Sequence, residues 1–256
     1  MPLLWKVTFI IFAYMTIWFF IAIAKKRNDV ADIAWGPGFI VVALISLIIA
    51  GNISHRALIV SSLVLIWGVR LAVHIGNRHL GKPEDARYAK WRKEWGKTFL
   101  IRSFLQVFML QGILLIIVAI PIIMIIVSPP SPITILDILG IVIWLLGFSF
   151  ETVSDRQLVR FLKRSSGSGE IMTTGLWRYS RHPNYFGEVT LWWGIYFIAL
   201  SVPNGWLSIC GPLMITFLIL KVSGIPMLEE AFRDNPDFQQ YKQRTSAFIP
   251  LPPRKE

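Results

Sequence analysis

Seven long apolar runs limit what this chain can fold into. The first, residues 3–24, holds a single charge, Lys6. The others fall at about 33–50, 58–75, 104–127, from 133 onward, 184–200 and 206–222. A run of about 20 apolar residues wound as a helix spans a hydrocarbon core about 30 Å thick. The expected fold is therefore an all-α integral membrane protein of about seven transmembrane helices, one multi-pass domain over residues 1–256. Composition agrees: 54% of the residues are hydrophobic and 16% charged, far from the balance of a soluble domain. The first run is too long for a signal peptide and no small-residue cleavage site follows, so it is expected to stay as a membrane helix.

A net charge of +11 would suggest nucleic acid in a soluble chain. In a membrane protein the position of the charges matters more than their total. With the N-terminus outside, the cytoplasmic segments are 25–32, 76–102, 156–182 and the tail. Of the 26 lysines and arginines, only Lys6 and Arg56 then fall on the other face. The expectation is a cytoplasmic C-terminus, a basic cytoplasmic face and no nucleic-acid partner. Within 76–102, Tyr88, Trp91, Trp95 and Phe99 recur at helical spacing among Lys90, Arg92, Lys93 and Lys97. Two readings stay open there: a helix lying in the membrane interface, or an aromatic-faced helix packed on the other loops. Residues 165–169 read as a flexible linker, and those after 222 as a polar tail. The lone cysteine, Cys210, excludes an intrachain disulfide. The four histidines show no ligand spacing, so no metal is expected.

The chemistry concentrates at residues 173–188, TTGLWRYSRHPNYFGE. So many polar and aromatic groups at a membrane surface are costly unless something polar is bound there. The bland alternative is a basic membrane-edge loop with interfacial aromatics. Pro183 disfavours helix at His182 and suits a helix start near Asn184. Helix N-termini attract anions, and Arg178, Arg181 and His182 stand just ahead of this one. Glu188 lies about one turn inside a membrane helix and needs a partner or a ligand. Upstream, Glu151 and Asp155 are four residues apart and share a helix face, followed by Arg156, Arg160, Lys163 and Arg164. Cations beside carboxylates suit a nucleotide cofactor, with phosphates held by arginine and lysine and hydroxyls or an amide by the acids. Ordinary flanking charge explains the lysines but not Glu151 and Glu188.

The run Leu176-Trp177-Arg178-Tyr179-Ser180-Arg181-His182-Pro183-Asn184-Tyr185-Phe186-Gly187-Glu188 resembles the signature of the steroid 5α-reductase superfamily, which includes the sterol Δ14-reductases. The similarity is concentrated in residues 151–250. It is nearest to the uncharacterised prokaryotic branch, through Asp32 to Gly36 and Ser223-Gly224-Ile225-Pro226. The resemblance implies a seven-helix reductase in the bacterial inner membrane, with NADPH bound at the cytoplasmic side. Its ligands carry over to Asp155, Arg160, Trp177, Tyr179, His182, Asn184 and Glu188. Lys221 stands where the family places a phosphate-binding arginine, and Tyr241 closes the site. Arg70 aligns with an arginine of the family's third helix, which puts Trp67 where the family has a tyrosine. That tyrosine, with a glutamine and a glutamate on the second helix, holds the enone carbonyl in the family. Tryptophan cannot supply the proton, so the candidates left are Asp32, at the start of an apolar helix where desolvation favours a protonated acid, and then His74. Asp29, flanked by Lys25, Lys26 and Arg27, reads as a solvated ion pair.

Membrane methyltransferases of the isoprenylcysteine and phospholipid type also carry Arg-His-Pro-x-Tyr-x-Gly before a helix, and a segment like Glu229-Glu230 with a later tyrosine and Ile-Pro. Their cofactor is S-adenosylmethionine. Asn184 and the Phe186-Gly187-Glu188 ending favour the reductase. The expected activity is hydride transfer from NADPH to a carbon–carbon double bond of an apolar steroid or isoprenoid enone that enters from the bilayer. The cofactor-site residues are then Arg70, Glu151, Asp155, Arg160, Trp177, Tyr179, Arg181, His182, Asn184, Glu188, Lys221 and Tyr241. A non-catalytic lipid-binding or scaffold protein would leave Asp155 and Glu188 unexplained.

Overall fold

A computed structural model describes residues 2–51, 53–165 and 170–254. Every regular element among them is helical. Six helices are long and apolar enough to cross a membrane: Leu3–Lys25, Val30–Ala50, His55–His79, Ala86–Val127, Ile135–Arg164 and Gly205–Ala231. This is the make-up of a multi-pass membrane protein. The seventh expected span, Pro183–Ala199, has 17 residues, at the short end for a crossing. The expected 165–169 linker lies almost wholly outside the described residues. The chain forms two compact units, residues 1–133 with 202–208, and 134–201 with 209–256.

The first unit is built on α2 (Val30–Ala50), which packs against α1 (Pro2–Lys25), α3 (His55–His79) and α5 (Leu110–Val127). α2 begins three residues before the expected start, so Pro37 sits well inside it. Its small residues set the packing distance: a Cβ on Gly36 would stand 2.7 Å from the Gly68 carbonyl oxygen of α3. The aromatic stretch forms α4 (Ala86–Trp95). A 3-10 turn (Gly96–Thr98), an α turn (Phe99–Arg102) and a π-helical stretch (Ser103–Met109) carry the chain on into α5. Trp91 and Trp95 stack, with ring centroids 5.4 Å apart.

The inner side of α4 is tied to the start of α2, as the loop-packed reading expects. Asn28 N–H donates to Glu84 at 2.6 Å and Arg92 pairs with the same carboxylate. Asp29 is fully buried. It accepts from both Nε and Nη2 of Arg27, at 2.6 and 2.7 Å, and from the Asp85 N–H at 2.9 Å. The ion pair expected at Asp29 is present but is not solvated, because the 80–85 loop folds down over it.

In the second unit, α6 (Ile135–Arg164) opens with a reciprocal cap between Thr134 and Asp137. At about 1.5 Å per residue its 30 residues outrun a hydrocarbon core of about 30 Å, so its polar C-terminal turns project beyond it. α6 and α7 (Pro183–Ala199) meet backbone to backbone through Gly140, Gly147, Gly187 and Gly194. A Cβ on Gly187 would lie 2.4 Å from Glu151 N, and one on Gly147 2.4 Å from Leu191 N. After α8 (Cys210–Phe217) the helix widens to π at Leu218–Val222. The expected polar tail then folds as two short helices, α9 (Ile225–Ala231) and α10 (Pro236–Arg244), each with a proline in its first turn.

Candidate functional site

The motif of residues 173–188 lies in the second unit, between the polar end of α6 and the start of α7. Gly175, with a positive φ of 64°, opens a single 3-10 turn, Gly175–Arg178. Gln157 of α6 caps it by accepting the Leu176 N–H at 3.0 Å. Trp177 is buried and its indole N–H donates to the Ser154 carbonyl at 3.1 Å. Pro183 then takes the first helical position of α7, where its missing N–H costs nothing.

The glycine seam brings the carboxylates of α6 to this helix start. Glu151 and Asp155 are both buried. Asn184 Nδ2 donates to Asp155 Oδ1 at 3.3 Å, while Asn184 Oδ1 is buried with no hydrogen-bond partner among the described residues. Thr152 Oγ1, on the same stretch of α6, is in the same condition. Buried acceptors and hydroxyls are almost always satisfied in folded proteins. An N–H or O–H from a bound molecule would complete Asn184. Glu188 follows one turn into α7, half-buried.

A second polar cluster holds the motif to the tail. The Arg181 guanidinium donates through Nε to Glu229 Oε1 at 2.8 Å, and its Nη2 lies 2.7 Å from the same oxygen. Its Nη1 donates to the carbonyls of Lys242 and Thr245. Every nitrogen of Arg181 is thus engaged by the chain itself, as a buried cation requires. His182 Nε2 stands 3.2 Å from Glu229 Oε1 and Lys242 Nζ 2.9 Å from Oε2. The Tyr241 hydroxyl donates to the Trp177 and Ser180 carbonyls. Burial raises this phenol above its ordinary pKa, so it remains a donor. Residues 245–251 cross back over the motif: Arg181 N–H donates to Ser246 O at 2.8 Å and Leu251 N–H to Tyr179 O at 2.9 Å.

The remaining candidates of this unit are more open. Tyr179 is 42% exposed. Arg160 lies at the exposed end of α6 and, with Gln157, Arg164, Met172 and Thr174, lines a cavity of about 220 Å³. Lys221 is exposed on the π-helical stretch. Asp32, Arg70 and His74 belong to the first unit. There Asp32 is not an isolated acid: Tyr88 O–H donates to its Oδ1 at 2.7 Å and Arg87 Nη2 to its Oδ2 at 3.1 Å. Trp67 is buried in the edge-to-face company of Phe39.

Three features escaped the residue-by-residue reading. The bonds of Glu229 to Arg181 and His182, and of Lys242 to Arg181 and Glu229, span 47 or more positions or lie within the tail; Glu229 entered only through the methyltransferase resemblance, with no partner assigned. The Tyr88 hydroxyl was one aromatic among four on a periodic face. The glycine seam did have a signature, the seven-residue spacing of Gly140 to Gly147 and of Gly187 to Gly194.

A family model described as "Protein of unknown function (DUF1295)" matches residues 18–245. No curated protein and no solved structure matches the chain.

Proposed function

The chain belongs to the DUF1295 family, and from that premise we propose that it is a membrane-embedded, NADPH-dependent reductase of a carbon–carbon double bond in an apolar, enone-bearing lipid. The observation that carries the reading is Asn184 Oδ1, buried beside Asp155 at the start of α7 with no hydrogen-bond partner among the described residues. It stands inside a motif that resembles the steroid 5α-reductase signature. An amide or hydroxyl donor is the complement it lacks, and the carboxamide and ribose groups of a nicotinamide nucleotide present such donors. Glu151, Asp155, Asn184 and Glu188 would hold those groups, Arg160 and Lys221 the phosphates, and Trp177 and Tyr179 would bound the pocket. Arg181, His182 and Tyr241 would act one step back, holding the motif's backbone through Glu229 and the tail. NADPH supplies a hydride when bound.

The protein's part is to orient, to exclude water and to stabilise charge that develops on the substrate oxygen. The tyrosine that the resemblance leaves missing at Trp67 has a counterpart in Tyr88. In the structure its one proton goes to the Asp32 carboxylate; with a proton on Asp32 the carboxyl would donate to the phenol oxygen and leave the phenolic O–H to meet a developing oxyanion. Asp32 then serves as the anchor of the donor rather than as the donor. Seven spans with a cytoplasmic cofactor face complete the reading, with α7 as the short seventh.

A second reading, an S-adenosylmethionine-dependent membrane methyltransferase, is favoured by one contact. Arg181 and His182 meet Glu229, and those are the elements the chain shares with that group. Equilibrium binding to the purified full chain separates the two. Saturable binding of NADPH, with S-adenosylmethionine unable to compete, is the expected result; the reverse order of affinity would transfer the chain to the methyltransferases.

A further inference from the structure

We propose that α4 and the turn after it form a docking arm for anionic phospholipid headgroups, with Lys90, Lys93 and Lys97 as the contact residues. The helical run Ala86–Val127 has 42 residues, well beyond the roughly 20 that cross a hydrocarbon core, and it is interrupted at Gly96. Part of it must lie outside that core, and the exposed side chains show where the boundary falls. Leu100 and Ile101 are 55% and 62% exposed, and Leu105 52%. Lys93 and Lys97, just before them, are also exposed and have no partner among the described residues. Outward cations thus give way to outward aliphatics between positions 97 and 100, the profile of a chain passing through the headgroup layer. Arg102 is exposed just inside that boundary, within reach of the headgroups by extending its stem.

The rotation of α4 is set by its inner contacts. Arg87 and Tyr88 hold Asp32, and Arg92 holds Glu84 while its guanidinium stacks on Phe99 at 4.1 Å. Lys90 and Lys93, three apart, therefore share the outward face of α4, and Lys97 follows, exposed, in the 3-10 turn that begins at Gly96. Glu94, the one acid among them, is paired loosely with Lys90 at 3.8 Å. The stacked Trp91–Trp95 pair, half-buried beside this face, is the type of group that settles at headgroup depth. A cluster of cations at that depth attracts anionic lipid, with about fivefold in affinity per cation, the equivalent of about 1 kcal/mol. The occupant is a lipid rather than free phosphate, because the cations border exposed aliphatic surface that only acyl chains would cover.

The test is lipid binding to the purified full chain, by native mass spectrometry in detergent, with phosphatidylglycerol and phosphatidylcholine compared. The parent should retain phosphatidylglycerol preferentially, and the preference should fall as salt rises. The Lys90→Gln/Lys93→Gln/Lys97→Gln variant should bind phosphatidylglycerol at least about tenfold more weakly, and the matching triple arginine variant should bind it as the parent does. Equal retention of the two lipids by the parent, or a glutamine variant with unchanged affinity, would overturn the proposal. So would displacement of the lipid by inorganic phosphate alone. The salt dependence is read on the parent, so it stands even if the glutamine variant does not fold.

Discussion

Among the described residues nothing donates to Asn184 Oδ1 although that oxygen is buried, and a single side chain of this kind makes the cofactor reading testable. Asn184→Ala and Glu188→Gln are each expected to weaken NADPH binding by about 1.5–3 kcal/mol, the worth of a hydrogen bond to a charged partner, without loss of fold. Isothermal titration of the two variants measures this, and parental affinity in both would remove these residues from the cofactor site. Asp32 and Tyr88 set a second expectation. Asp32→Asn and Tyr88→Phe should each lower turnover by about 10²–10⁴-fold while NADPH affinity is kept, with NADPH oxidation in the presence of enone sterols and isoprenoids as the readout. Parental turnover in Tyr88→Phe would return attention to His74. Asp29 gives a prediction in pH. Burial alone would raise its carboxyl, but the Arg27 hydrogen bond, the Asp85 N–H and the charges of His79 and Arg27 together hold it below its ordinary value. Asp85, which is partly buried, is held down by Arg87. A depressed folded pKa means stabilisation that is present above the unfolded value and lost as pH falls through the folded one. Thermal stability should therefore drop below about pH 4, and Asp29→Asn should flatten that acid limb while lowering stability at neutral pH. An acid limb of unchanged steepness in the variant would count against this pair.

At the scale of elements, α6 and α7 are an unusually close pair for the reason that their four facing glycines carry no side chain. At Gly187 and Gly147 an added Cβ meets backbone, which cannot swing aside. Gly187→Ala is expected to cost about 1–3 kcal/mol, the range for overpacking. It should also weaken cofactor binding, because Gly187 lies against Glu151. Gly76→Ala is the control: it sits in α3 with nothing within 4 Å, where alanine favours the helix by about 1 kcal/mol. Thermal melts followed by tryptophan fluorescence should show the first variant well below the parent and the second level with it or above. Identical melts would mean that α6 and α7 are not in backbone contact. The seam and the resemblance motif overlap at Gly187, so the glycine before the motif's last residue also lets the backbone at Glu151 lie against α7.

At the scale of the molecule, the distribution of basic residues predicts which way the chain threads the bilayer. In a Cys210→Ser background, cysteines at Lys82 and Gln239, both described and exposed, should react with a membrane-impermeant thiol reagent only from the cytoplasmic side. Labelling of either from the outer side would reverse the topology. Positions 168 and 255, natural choices for the same experiment, fall outside the described residues. The two-unit division matters here as well, because the proposed cofactor residues fall in one unit and the Asp32–Tyr88 pair in the other. Variants in each unit therefore probe separable properties, affinity in the second and turnover in the first.

Apolar run length was enough to predict a multi-pass helical membrane protein, since spanning helices follow from solvation of the backbone and need no tertiary detail. The start of α7 at Pro183 and the helix around Tyr88 to Trp95 were legible for the same reason: proline geometry and 3.6-residue periodicity are local. The pairing of Glu151 with Asp155 on one helix face was legible too. What tertiary structure decided was partnership. Glu229 pairs with Arg181 and meets His182 from the segment expected as a polar tail. Tyr88 and Arg87 reach Asp32 from 55 or 56 residues away. Asp29 is sealed from water by a loop that composition alone left in solvent. Whether a charged side chain is solvated, paired or offered to a ligand depends on which distant backbone folds over it, and no run, spacing or propensity along the chain encodes that distance.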